Sequence, residues 1–494
     1  MPEVNTPSRQ AQTVAIPKRW PLVDVLTTRS SQSPPTKDAR LINCFAERNA
    51  DESYSIFKRP GLSPYFSIGS AAISRGIYTS ARTGIVYSVF GDMLYAGGVG
   101  ALIDPADPIR FCSFEIINTA AVLPTIVLQD QANMYGIVDG SAASTRFIIH
   151  TGLPRSMVYG LVQLDGALYV MDYLGYIYES DQNDPTTWNL LNVIQANNNS
   201  DLAVCLAKQL SYILAFKQGS VEVFYDAGNT VGSSLARIPE AEIAYGCLFG
   251  QTVQSIDNLV LYVTSNQSAS SQVILIENLA PKVISTPGVE RLLDNIAISA
   301  TLATSLSGLQ AWTFKHGGHR FYGLTCAFLN ITLVYDIDQK LWYLWSDLNG
   351  NYWPYTGLAY KPQSAGVSGM LLIQHESNGN IYQLDGSYTF PTDYGNVFAV
   401  DIFTPNFDAG TARAKQLNML YVQADQQSGS ILQASYSDDD YQTFSDSRDI
   451  DLSVERPSLN NEGSFYKRAY HFHHQLPTPL RIKSVDLQLD VGTL

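Results

Sequence analysis

The feature that most constrains this chain is a short, tyrosine-bearing strand pair that recurs along most of its length. In "GALYVMDYLGYIYESDQNDPTTWN" (Gly166 to Asn189), a turn at Gly175 separates two runs rich in Tyr, Val and Ile, and an Asp-Pro-Thr-Thr loop follows. β-Branched and aromatic residues favour a pleated, half-buried surface, and glycine permits a tight turn. This segment is therefore predicted to form a β-hairpin.

Similar strand pairs lie before and after this hairpin, and each contains a tyrosine. Most of the gaps between these tyrosines are about 35 to 50 residues, and one gap is about 70. A drifting period of this size, with about four short strands per unit, is typical of β-propeller blades. A stack of β-sandwiches is the alternative, and the length of the array favours the propeller. The marker residues are Tyr95, Tyr135, Tyr169, Tyr212, Tyr262, Tyr335 and Tyr382.

One helix is predicted to interrupt the array at Ser285 to Ser299. Thr286 is suited to the N-cap, Pro287 to the first helical position and Glu290 to the first turn. Apolar residues recur at helical spacing, so one face of the helix is expected to be buried without any cofactor. These residues are Val289, Leu292, Leu293 and Ile296.

The composition of the two ends differs from that of the array. Residues 1–65 are rich in Pro, Ser and Thr and are predicted to form an extended arm. Contacts with the C-terminal domain or with a neighbouring subunit are expected to order this arm. Residues 66–390 are assigned to the propeller. Residues 391–494 alternate apolar and polar positions, which predicts a separate antiparallel β-domain. The fold class is therefore all-β.

Charge and cysteine content exclude several classes of protein. The 494 residues carry a net charge of −14, which argues against recognition of nucleic-acid sequence because phosphate binding requires clustered Lys and Arg. Only 15% of the residues are charged, as in a subunit that hides surface against partners. The five cysteines are scattered and predict reduced thiols. We expect neither a signal peptide nor a membrane-spanning segment.

Enzyme signatures are missing from the sequence. It contains no GxSxG elbow and no Walker lysine, and His375 in "HESNG" lacks the second histidine of HExxH. His316 and His319 flank a Gly-Gly dipeptide, which favours a two-residue hairpin turn over a metal site. We therefore predict that the protein is not an enzyme, and we assign no catalytic, cofactor-binding or metal-binding residue.

A second histidine group lies in "YHFHHQL". His471 and His473 are predicted to share one face of a strand, with His474 on the opposite face. The pair could bind a metal or form a pH-sensitive interface. No third ligand is near in sequence, so an interface or an exposed strand face is the favoured interpretation.

The stretch "SYSDDDYQTFSD" resembles an Asp box, the S-x-D-x-G-x-T-W turn of sialidases and other β-proteins. Ser437, Asp439 and Thr443 match the motif, whereas Tyr441 replaces its glycine and Phe444 its tryptophan. The carboxylates Asp438 to Asp440 could attract calcium, although a structural turn is favoured. Asp439 is expected to accept N–H bonds of the turn, while its two neighbours are expected to contribute little as exposed charges.

Several phrases, taken in order, resemble the tail-hub or nozzle family of short-tailed bacteriophages, also called packaged-DNA stabilisation proteins. The resemblance covers nearly the whole chain. It rests on "RLINCFAERN" with Asn43 and Glu47, "FKRPGL" with Arg59 to Leu62, "AFKQGSVEVFYDAG", "KVISTPGVERLL", "LVYDIDQKLWYLW", "GNIYQLD" and "YSDDDYQTFSDSRDIDL" before "FYKRAYHFHH".

This resemblance implies a structural virion protein of the phage tail that is made and assembled in the host cytoplasm. Six copies would form a ring below the portal and its adaptor proteins. The ring would carry fibres or tailspikes, hold a tail plug or needle, and retain packaged DNA until ejection through its lumen. An acidic lumen would let DNA slide without adhesion. No cofactor is implied.

The alternative is a sialidase-like or lectin-type propeller that binds carbohydrate. A sialidase would need several arginines and an acid/base pair near the propeller axis. Across the central blades the sequence offers Arg155, Arg237 and Arg291, without paired carboxylates at matching strand positions. An intracellular interaction propeller is a third option, but the Gly-His and Trp-Asp signature of WD repeats is missing from the sequence.

Overall fold

The structure is a computed structural model in which a seven-bladed β-propeller lies next to a two-sheet β-sandwich. The predicted all-β propeller is confirmed. The structure describes residues 19–23, 39–103, 109–114, 122–130, 132–150, 156–264, 271–300, 309–363, 369–385 and 391–492.

Among the residues that the structure describes, four short strands precede the first blade. They begin where the Pro- and Ser-rich segment gives way to the alternating run "RLINCFAERN". The strands are β1 (Arg40–Ile42), β2 (Cys44–Arg48), β3 (Tyr54–Lys58) and β4 (Leu62–Ser67).

Six blades are complete antiparallel meanders of four consecutive strands, and a seventh has three strands from one stretch of chain. The first strands of most successive blades contact one another around the axis. The strands are β5–β8 (Ser74–Thr79, Val86–Phe90, Met93–Ala96, Val99–Leu102), β9–β12 (Arg110–Phe114, Thr125–Gln129, Met134–Val138, Phe147–His150), β13–β16 (Val162–Leu164, Ala167–Met171, Tyr176–Ser180, Trp188–Gln195), β17–β20 (Ala203–Gln209, Tyr212–Lys217, Val221–Asp226, Leu235–Arg237), β21–β24 (Gln254–Ile256, Leu259–Val263, Val273–Glu277, Ala280–Val283), β25–β28 (Leu309–His316, His319–Cys326, Ile331–Asp336, Leu341–Trp345) and β29–β31 (Tyr355–Lys361, Met370–His375, Asn380–Leu384).

The seventh blade is completed by β4, which comes from the other end of the propeller sequence. Leu62 pairs with Leu384, and Phe66 pairs with Ile381, in an antiparallel ladder. The last blade therefore combines residues that precede the first blade with residues that follow the sixth, which closes the ring. The expected boundary at residue 65 lies within this strand. The seven marker tyrosines of the sequence lie one in each blade.

The predicted helix is present as α1 (Pro287–Ala300), between the fifth and sixth blades. It begins at Pro287, as predicted, and Val289 and Leu293 are buried against the neighbouring blades. The side chain of Ile296 lies outside the described residues. Short 3-10 turns lie at Ala143–Thr145, Pro239–Ala241 and Gly250–Thr252. Within the described residues, no helix combines the length and apolar character needed to cross a membrane.

The C-terminal strands form a sandwich together with β1, β2 and β3. The C-terminal strands are β32 (Val400–Phe403), β33 (Lys415–Ala424), β34 (Ile431–Ser437), β35 (Arg448–Asp451), β36 (Ser458–Phe465), β37 (Ala469–His474) and β38 (Arg481–Val491). One sheet has the order β2-β3-β38-β33-β36. The other sheet continues the sixth blade, since β1 pairs in parallel with β28 and antiparallel with β32.

Trp20 anchors the described part of the N-terminal arm in the sandwich. Its ring is buried, with its centroid 4.6 Å from that of Phe407 and 4.8 Å from that of Tyr470. The indole nitrogen donates to the Thr404 hydroxyl at 3.0 Å, and the Trp20 amide donates to the carbonyl of Val485 at 2.8 Å. The described segment before β1 therefore contributes to the sandwich core.

Candidate functional site

The junction between propeller and sandwich is organised around one buried arginine, Arg59. Its side chain is fully buried, and it forms a two-pronged ion pair with Asp393 at 2.7 and 3.0 Å. The remaining N–H groups donate to Asn43 Oδ1 at 3.0 Å, to the carbonyl of Pro60 at 3.1 Å and to the carbonyl of Ser346 at 3.2 Å. All five donors of the guanidinium are therefore used, as a buried charge requires.

Asn43 connects the same site to the sixth blade and the sandwich. Its amide nitrogen donates to the Ser346 hydroxyl at 2.7 Å and to the Ala399 carbonyl at 2.8 Å, while Oδ1 also accepts from the Ser346 amide. Asn43 has a φ of 56°, a left-handed conformation that asparagine tolerates better than most residues. The guanidinium of Arg59 also stacks 3.8 Å from the ring centroid of Phe398. The "RLIN" and "RPGL" phrases thus meet at one junction.

The Asp-box resemblance corresponds to a closed turn after β34 in the sandwich. Asp439 accepts from the Ser437 hydroxyl at 2.8 Å, from the Thr443 amide at 2.9 Å and from the Thr443 hydroxyl at 2.6 Å. The hydrogen bond from the Thr443 hydroxyl is the main reason that the pKa of Asp439 falls to about 2. Tyr441, at the glycine position of the motif, has a φ of 64° and is held by a hydrogen bond from its hydroxyl to the Thr404 carbonyl. The turn therefore serves the sandwich structure.

Asp438 and Asp440, on either side of Asp439, are not equivalent. Asp438 accepts from Arg468 Nε at 2.7 Å and from Nη2 at 2.8 Å, and the Arg468 side chain is buried. Asp440 is more exposed and accepts from Lys467 at 3.0 Å and Asn406 at 2.7 Å. The expectation that both side chains contribute little to stability is therefore revised for Asp438.

We expect Asp438→Ala to lower the free energy of unfolding by about 1–2 kcal/mol, because it leaves two donors of a buried guanidinium without their acceptor. Asp440→Ala is the matched control in the same turn, and it should change this value by about 0.5 kcal/mol or less. Urea denaturation of the full-length variants measures both. Equal effects would show that Arg468 does not depend on Asp438.

His316 and His319 flank a tight hairpin turn, as predicted. Gly317 and Gly318 have φ values of 57° and 89°, which only glycine adopts without cost, and the two histidines pair across the turn. His319 Nδ1 lies 2.6 Å from a carboxylate oxygen of Asp336 on the third strand of the blade. Burial opposes protonation, but this hydrogen bond raises the pKa of His319. The sequence did not indicate this partner, which lies 17 residues away.

The second histidine group acquires a carboxylate from another strand. His471 and His473 lie on one face of β37, and His474 is buried on the opposite face, as predicted. Asp401 of β32 lies beside them, with Oδ1 2.8 Å from His471 Nε2 and 2.7 Å from His473 Nδ1. Sequence reasoning missed Asp401 because it precedes His471 by 70 residues. The sequence around Asp401 carries no local signal that its strand pairs with β37.

Of the arginines considered for a carbohydrate site, neither of the two that the structure describes lies on an inner strand. Arg237 lies on the outer strand β20 and pairs with Glu222 at 3.2 Å, Arg291 is in α1, and Arg155 lies outside the described residues. A cavity near the axis is instead lined by inner strands and contains Arg75 and Arg110; among the described residues that line it, none is Asp or Glu. The acid/base pair of a glycosidase is therefore not formed by the residues described there.

The described thiols are structural. Cys44, Cys205, Cys247 and Cys326 are free and buried, and the side chain of Cys112 lies outside the described residues. Burial raises the pKa of Cys205 to about 12, so the thiol stays protonated at neutral pH.

Comparisons with known proteins give one informative match. A family model described as Bacteriophage P22 Gp10, beta-propeller, matches residues 49–389. No curated protein matches the sequence significantly.

Solved structures that resemble the chain include the N-terminal domain of Nup159, with 9% identity and a TM-score of 0.41 over 70% of this chain and 98% of that one. Chaetomium thermophilum Raptor has 11% identity and a TM-score of 0.41, over 67% of this chain and 29% of that one. The computationally designed Ika8 protein has 10% identity and a TM-score of 0.37, over 65% and 99%.

Proposed function

Because the chain belongs to the phage-stabilisation family of the Bacteriophage P22 Gp10 β-propeller, we propose that six copies form a ring-shaped tail hub below the portal and its adaptor. The protein is a structural component of the phage tail, and its role in the virion is not enzymatic. The match over residues 49–389, which includes all seven blades, is the observation that carries this proposal.

The sandwich is the proposed assembly platform, and the propeller is the part that projects from it. The sandwich contains strands from both ends of the chain, so it orders the arm and the C-terminal domain together. It also exposes large apolar side chains that a neighbouring subunit could cover, including Tyr466, which is 68% exposed, and Val454. The division of the chain into arm, propeller and platform is part of the proposal.

The ring would retain packaged DNA and let it pass during ejection. The net charge of −14 supports this role, because DNA confined by an acidic wall is not held by phosphate contacts. Fibres or tailspikes would attach to the outside of the ring, and a plug or needle would close its lower end. Exposed apolar side chains on the outer strands of the propeller, such as Leu191 at 81% exposure, support a role for this surface in docking.

The test is the position and copy number of the chain in virions. We expect electron microscopy of virions to place it in the tail as a sixfold ring, and native mass spectrometry of ring complexes released from tails to give six copies of the 54.4 kDa chain. A ring with another copy number would contradict the hexamer alone. Absence of the chain from the tail would contradict the whole proposal.

A further inference from the structure

The outer face of the β32–β37 pair brings three metal-binding side chains together. Asp401, His471 and His473 each present one ligand atom, and these three atoms lie within 4.8 Å of one another. Strand alternation places the two histidines on the same face, and the cross-strand pairing of Asp401 with His473 places the carboxylate beside them. The arrangement thus follows from the register of the sheet.

We propose that Asp401, His471 and His473 form a binding site for a divalent transition-metal ion, with Zn²⁺ as the preferred ion. Imidazole nitrogen and carboxylate oxygen are ligands that Zn²⁺ accepts at about 2.0–2.2 Å. Ligand atoms of a tetrahedral ion with such bonds lie about 3.3 Å apart. The oxygen-to-nitrogen distances of 2.7 and 2.8 Å need to widen only slightly to admit the ion.

The donor atoms are oriented before any ion binds. The ring of His471 stacks on Phe403 with centroids 4.1 Å apart. Nε2 of His471 and Nδ1 of His473 both lie within hydrogen-bond distance of the same oxygen, Oδ1 of Asp401, so the three side chains already converge. A coordinating nitrogen must offer its lone pair to the ion, so an imidazole that carries its proton on that nitrogen transfers it to the other ring nitrogen on binding.

Exposure and ligand type narrow the choice of ion. The three side chains are 20–28% exposed, so an ion can reach them from solvent. Three protein ligands leave one tetrahedral position for water or for a side chain of another molecule. Calcium and magnesium prefer sets of several oxygen ligands, and this cluster supplies one carboxylate.

The experiment uses the full-length chain without a histidine tag and Zn²⁺ alone as the probe. Equilibrium dialysis followed by metal analysis should find one Zn²⁺ per chain. Asp401→Asn and His473→Gln, which preserve side-chain size, should each weaken binding by at least about 100-fold, since loss of a direct ligand should exceed the effect of losing an outer-shell partner. Asp449→Asn on β35, which β34 separates from β37 in the same sheet, removes the same charge from outside the cluster and should bind as the parent does.

Co²⁺ gives an independent readout, because its visible absorption reports the ligands and geometry around the ion. We expect the bands of the parent protein to be absent from Asp401→Asn and unchanged in Asp449→Asn. Melting curves of each variant establish that it is folded, and if one cluster variant fails to fold, the other decides. No Zn²⁺ binding, or equal binding by the parent and both cluster variants, would overturn the proposal and identify any remaining metal as adventitious.

Discussion

Replacing Arg59 with methionine should lower the free energy of unfolding of the full-length chain by about 3–5 kcal/mol. The guanidinium is fully buried and is the cationic partner of Asp393, whose side chain is only 4% exposed. Methionine fills much of the volume but leaves this carboxylate without its ion pair, and it also removes the donors to Asn43, Pro60 and Ser346. Urea denaturation, followed by fluorescence of the nearby tryptophans, measures the change.

The chain offers a matched pair for this experiment. Arg320 also makes a two-pronged pair, with Asp338, but both side chains are about 30% exposed. Arg320→Met should therefore lower the free energy of unfolding by about 1 kcal/mol or less. Arg59→Lys should recover only part of the loss, because an ammonium cannot reproduce the two-pronged contact. Equal costs for Arg59→Met and Arg320→Met would contradict the organising role of the junction.

Replacing β4 (Leu62–Ser67) with a Gly-Ser linker of equal length should lower the free energy of unfolding by about 4 kcal/mol or more. Leu62 is buried, and removal of one buried leucine side chain alone costs about 2–5 kcal/mol. The ladder to β31 is lost as well, and Phe66 no longer packs on the cluster formed by the first and seventh blades. The propeller of the variant then lacks the strand by which the N-terminal side of the array completes the seventh blade.

The control for β4 is a segment of the same length on the propeller surface. Residues 227–232 are all exposed, and the same linker there should change the free energy of unfolding by about 0.5 kcal/mol or less. Chemical denaturation compares the two replacements, and proteolysis should cleave the β4 variant first near its seventh blade. If both replacements have the same small effect, the propeller closes without β4.

The repeating part of the fold could be predicted from the sequence because local residue preferences specify its strands and turns. Alternation and β-branched residues identify the strands, Gly317 and Gly318 identify a hairpin, and Pro287 marks the start of α1. These signals lie within a few residues of one another, so a linear reading detects them. The family resemblance also depended on phrases in sequence order, and the family match confirms it.

The sequence indicated only some of the residues of each candidate site. The histidine pair of β37 and the turn around Asp439 could be located, because their members are close in sequence. Asp401 and Arg468 could not be assigned to them, since each reaches its partners from a different strand, and the register of those strands has no local signal.

By itself, the sequence determined that this protein is an all-β array of about 40-residue units, because strand and turn preferences act over short distances. Only the tertiary structure decided how the array closes and what it is joined to. β4 pairs with β31 across more than 300 residues, and β1 joins the sixth blade to the sandwich. Arg59 reaches Asp393, 334 residues away. Such contacts form because a buried charge needs a partner and an open strand edge needs a neighbour, and the folded chain determines which ones are within reach.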